Sequence, residues 1–106
     1  MPLDKNDQSL TTAHVNPILH INGSSLKSLN DSYAAADKAL HEFIQNWQRI
    51  EFNARDYYPQ GPDAYPAARD ERDEIDRHLR SVRDYLRRIR EAIRQQDADI
   101  EATRRP

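Results

Sequence analysis

The sequence predicts an all-α protein: one long antiparallel helical hairpin, with helices over about 25–52 and 66–96, that pairs with a second copy as a four-helix bundle or joins a higher oligomer. Three observations predict it. Apolar residues recur at steps of three and four along two stretches. The proline- and tyrosine-rich segment between them cannot continue a helix. The composition is too polar for a chain this short to fill a core alone: 32% of residues are charged, 37% are hydrophobic, and mean hydropathy is −1.03. Small domains have a poor surface-to-volume ratio and commonly make up the missing burial by association. No cysteine is present to supply a disulfide.

The first helix is read from Leu26, Leu29, Tyr33, Ala36, Leu40, Phe43, Trp47 and Ile50. This spacing is a helical seam and not the alternation of a strand. Ser24 and Ser25 offer an N-cap ahead of Leu26. From Asn53 to Pro66 the chain carries three of its six prolines and one of its two glycines, which marks a connection. The second helix begins around Pro66, since proline is tolerated in a first turn. Its seam is Ala68, Ile75, Leu79, Val82, Leu86, Ile89, Ile93 and Ile100. Acidic residues crowd its start and arginines its later half, an order that suits the helix dipole. Antiparallel folding sets Trp47 near Arg72, Leu40 near Leu79 and Leu29 near Ile89. The second helix then overhangs the first, and Ile18, Leu19 and Ile21 can fold back onto the overhang near Ile93 to Ile100. Residues 1–17 read as a flexible arm and 18–103 as the hairpin domain.

Several function classes are excluded. The start of the chain lacks a basic-then-apolar leader, and no stretch nears the roughly 20 apolar residues of a bilayer span, so a cytoplasmic protein without a membrane partner is expected. A formal charge of −2 makes nucleic acid an improbable partner. His14, His20, His41 and His78 have no metal-ligand spacing, and neither paired carboxylates, a phosphate loop nor a serine elbow is present. No catalytic residue, metal or cofactor is expected, and the chain reads as a binding protein and not an enzyme.

Three segments are candidates for binding. His20-Ile21-Asn22-Gly23-Ser24-Ser25 runs a glycine turn into a helix start, where free backbone N–H groups, hydroxyls, an amide and an imidazole suit an anion. The same residues would serve equally as plain capping. Arg55-Asp56-Tyr57-Tyr58-Pro59-Gln60 brings a guanidinium beside tyrosines, a pairing that can hold a phosphate and stack a base. Alternatively, the rings close the loop as a small core with Arg55 paired to Asp56. Arg80, Arg83, Arg87, Arg90 and Arg94 fall within about 80° of one another on the second helix and form a basic stripe. That stripe is either a partner-binding surface or a solvated flank. The first two segments lie at opposite poles of one hairpin, so they meet only if an antiparallel neighbour supplies one of them.

The two stretches His20-Ile21-Asn22-Gly23-Ser24 and Arg55-Asp56-Tyr57-Tyr58-Pro59-Gln60-Gly61 together resemble a family of small proteins encoded by phages and prophages of proteobacteria. That family has a His-x-Asn-Gly-Thr/Ser start, a first helix, an Arg-Asp-Tyr-Tyr turn and a second helix. The likeness covers roughly residues 18–95; Ser24 stands where threonine is the commoner residue and keeps the hydroxyl. It implies a viral accessory protein in the host cytoplasm and brings no mechanism with it. Three readings follow. One is an anti-defence protein that sequesters a small anionic, nucleotide-like ligand between protomers. A second is a module that docks on and inhibits a host protein. The third is a nucleic-acid-binding accessory protein.

Overall fold

The computed structural model describes residues 13–104. Among them the chain forms two long helices, α1 over Leu26–Gln48 and α2 over Ala64–Arg104, with two single 3-10 turns, Ala54–Asp56 and Tyr58–Gln60, between them. No strand occurs among the described residues.

Ser25 starts α1: its backbone is extended (ψ 153°) and its Oγ accepts from the Ser28 N–H at 3.1 Å. The helix stops at Gln48, about a turn short of the expected 52. The physical reason lies in α2. Arg72 Nη2 donates to the Trp47 carbonyl at 2.9 Å, which also accepts from the Ile50 N–H at 3.2 Å, so the last turn is closed off by both. The chain is then free to turn Phe52 inward. Gly61 sits at φ 111°, a backbone region closed to most other residues, and sets the approach to α2. That helix starts at Ala64, two residues ahead of Pro66, which occupies its first turn without losing an intrahelical bond.

At its far end α2 runs to Arg104, eight residues past the expected 96. The polar run there supports itself and its neighbours. Gln95 donates to Asp99 at 3.1 Å and the Thr103 hydroxyl donates to the Asp99 carbonyl at 2.6 Å. Gln96 accepts from the Leu19 N–H at 2.8 Å and donates to the Pro17 carbonyl at 2.7 Å, so the overhang holds the segment before α1. Leu19 is the residue that settles there; Ile18 and Ile21 stay exposed at 75% and 97%. Of the expected arm, residues 1–12 lie outside the described residues, while Arg88 bonds Asn16 Oδ1 at 3.1 Å.

The helices are antiparallel in the expected register at their closed end. The Arg72 guanidinium lies 4.5 Å from the Trp47 ring centre, and the Trp47 indole N–H donates to Asp76 at 2.6 Å. Tyr33 and Tyr85, neighbours across the two helices, and the Arg90–Asp37 ion pair at 2.6 Å continue the seam. The core of the described chain is Leu86, Ile89 and Ile93, all on α2; α1 has no buried residue. Phe43, Ile75, Val82 and Tyr85 remain 39–49% exposed. Helical spacing sets Ile75, Val82 and Tyr85 on the flank of α2 turned away from the arginines. Among the described residues, no helix is long and apolar enough to cross a membrane.

Candidate functional site

The pole that opens α1 is shaped by the turn before it. The Gly23 N–H donates to the His20 carbonyl at 3.1 Å, and the imidazole folds over the glycine so closely that a Cβ at position 23 would lie 2.8 Å from Nε2. A side chain at 23 would displace only this exposed, rotatable imidazole, and the dihedral itself is unstrained. Ser25 is committed to capping. Asn22 and Ser24 are exposed and make no side-chain hydrogen bond among the described residues. His20, Ile21, Ser24 and Ser25, with Leu19, Leu26 and the end of α2, wall a shallow depression of about 410 Å³, and Asn22 stands outside its lining. Its far wall carries Arg104 and also the carboxylates Asp97 and Glu101. An anion seated there would meet one cation and two acids. Those three residues are distant in sequence; only the length of the α2 overhang could have pointed to them.

At the other pole the rings divide into two groups. Phe52, Tyr57 and Tyr65 cluster with centres 5.4 to 6.0 Å apart. Tyr57 is thus part of a small core that closes the connection. Tyr58 faces outward and is 66% exposed. Arg55 and Asp56 are both exposed in the first 3-10 turn, and among the described residues no ion pair joins them. The guanidinium that engages the rings is Arg72, between Trp47 and Phe52 at 4.5 and 4.9 Å. The Gln60 N–H closes the loop onto the Tyr57 carbonyl at 3.0 Å, leaving its side chain exposed. Arg55, Asp56, Tyr58 and Gln60 are therefore the open members of this segment, with one acid beside the guanidinium. The poles are separated by the 23 residues of α1, about 35 Å at 1.5 Å per residue, so within one chain they share no ligand.

The basic stripe is divided as well. Arg94 is tied to Glu91 through Nε at 3.0 Å, and the guanidinium holds that carboxyl below its ordinary pKa range. Arg83, Arg87 and Arg90 instead rim a groove of about 630 Å³ between α1 and α2. Lys38, His41 and Gln45 stand on the opposite rim, with Leu40 and Ile44 between them. The groove continues past Arg80 to Arg72 and Trp47. The stripe was legible from helical spacing, but the groove it borders was not, because α1 supplies the other side.

No family model, no curated protein and no solved structure matches this chain.

Proposed function

We propose that this chain is a non-enzymatic accessory binding protein whose working unit is a pair of antiparallel hairpins, holding a small anionic, nucleotide-like ligand where the two poles of neighbouring copies meet. The observation that carries this reading is the placement of open polar groups. Asn22 and Ser24 at one pole, and Arg55, Tyr58 and Gln60 at the other, are exposed and have no side-chain hydrogen bond among the described residues. Neither pole is a complete site. The first has hydroxyls, an amide and an imidazole but faces Asp97 and Glu101, while the second has the guanidinium and an outward ring. Brought together, Arg55 offsets those carboxylates and Tyr58 supplies the stacking surface.

Pairing has its own support in the half-exposed Phe43 of α1 and Ile75, Val82 and Tyr85 of α2, the last three about 100° to 180° around α2 from the centre of the arginine stripe. A four-helix bundle closed on that row is the simplest way to cover it.

The test is a thermal-shift panel of mono-, di- and cyclic nucleotides against wild type and Arg55→Ala. A binding nucleotide raises Tm by mass action, and Arg55→Ala loses that rise while keeping its helix content. A nucleotide that stabilises both proteins equally contradicts the shared site, and a panel without any shift removes the nucleotide reading.

A further inference from the structure

The groove on the arginine face is separate from the apolar row and uses none of the open polar residues of either pole, and its chemistry points to a different kind of ligand. Its floor is apolar, with Leu40 and Ile44 only half-buried between the two helices. Its α2 rim is cationic: Arg83, Arg87 and Arg90 stand about one helical turn apart, with rises near 6 and 4.5 Å. Asp37 is the acid within it, and Arg90 already occupies that carboxylate at 2.6 Å. Arg87 makes no ion pair or side-chain hydrogen bond among the described residues. Arg83 Nε is buried without a hydrogen-bond partner and lies 3.8 Å from the nearest Asp84 oxygen. About a third of the Arg83 side chain remains exposed, so its guanidinium can still take an incoming carboxylate.

We propose that this groove receives an amphipathic helix of a partner protein, seated on Leu40 and Ile44 and carrying acidic side chains along the flank that meets Arg83, Arg87 and Arg90. Three features select a helix. The channel between two packed helices is where ridges of a third can lie. The groove extends from Arg72 to Arg90, about 27 Å or five turns, a usual length for a docked helix. The arginine spacing matches carboxylates at positions i, i+4 and i+7 of a partner, each pair able to bond in two-pronged fashion. A nucleic-acid strand fits less well. No aromatic side chain lines the main groove to stack a base, and Asp76 and Asp37 stand along the path a continuous phosphate backbone would take. The proposal does not depend on the nucleotide reading, since it uses none of Asn22, Ser24, Arg55, Tyr58 and Gln60.

The experiment titrates two fluorescent helical peptides of about 18 residues into the full-length protein. Both carry the same leucine seam; glutamates flank it in one and lysines in the other. The acidic peptide binds with a salt-dependent affinity and the basic one does not. Arg87→Glu weakens the acidic peptide about tenfold, and Arg83→Glu together with Arg87→Glu reverses the preference. Circular dichroism reports the fold of each variant, and Arg87→Gln, at a position with no partner among the described residues, serves if the double variant unfolds. Failure of the acidic peptide to bind at millimolar concentration overturns the proposal. So does equal binding of both peptides, or an affinity indifferent to Arg87. Preferential, Arg87-dependent retention of single-stranded RNA over the acidic peptide also overturns it, in favour of a nucleic-acid surface. Loss of the nucleotide shift in Arg55→Ala leaves this result untouched, so the two readings fail separately.

Discussion

Arg72 joins the two helices: the antiparallel register places it near Trp47, but its carbonyl bond and its reach to Phe52 are not written in the chain. One guanidinium covers Trp47, reaches Phe52 and caps the α1 carbonyl of Trp47. Replacing it with alanine removes a charge-assisted hydrogen bond and two cation–π contacts, and should cost about 2 kcal/mol. Urea denaturation checks this, and an unchanged midpoint would show that the α1 end is held by something else. Arg55, which the sequence put beside the tyrosines, meets none of these rings. Local motifs tell which residues are near in the chain, whereas a guanidinium reaches across to the next helix. Tyr33 gives a second test at this scale. The neighbouring Tyr85 hydroxyl, followed by burial, raises the Tyr33 pKa above its ordinary value. The folded state therefore holds that proton longer than the unfolded one does. Its contribution is fully present below about pH 10 and is lost as pH rises through the folded value. Tyr33→Phe should flatten the fall in urea midpoint between about pH 9 and 11; an identical pH slope in both proteins contradicts the pair.

At the scale of the helices, spacing carried most of the information. The three-and-four rhythm of Leu26 to Trp47 and of Ala68 to Ile100 is local, and it located both helices and their facing sides. Their ends were harder to read. The end of α1 depends on Arg72, and the last turns of α2 depend on internal bonds of Gln95, Asp99 and Thr103. Neither influence leaves a strong stop or start signal in the chain. The same spacing also could not rank seam positions by burial. Ile89 is 0% exposed while Val82, two seam steps away, is 47% exposed. Ile89→Ala should therefore destabilise the fold by about 2–5 kcal/mol through the cavity it leaves. Val82→Ala should cost the isolated hairpin less than about 1 kcal/mol. Equal losses in chemical denaturation would mean that Val82 is buried in solution, as the proposed pairing requires, and a concentration dependence of the midpoint would separate that cause from a different hairpin packing.

For the molecule as a whole, the sequence made the shape legible and left the surfaces unassigned. Two stripes of opposite character lie on one thin layer: arginines rim a groove on one face, and half-exposed Phe43, Ile75, Val82 and Tyr85 lie toward the other. A linear pattern shows each helix's flanks but not which flanks of two helices share a face; that follows only once the register of Trp47 and Arg72 is known. The described chain buries just Leu86, Ile89 and Ile93, so the proposed second copy is central to the account. Sedimentation equilibrium at micromolar concentration, run on wild type and Val82→Glu, tests it most directly. Pairing predicts about twice the 12.4 kDa chain mass, or a higher even multiple, for wild type and a shift toward the single-chain mass for Val82→Glu. A folded wild-type species holding at 12.4 kDa would contradict the paired hairpin and the sites shared between its ends.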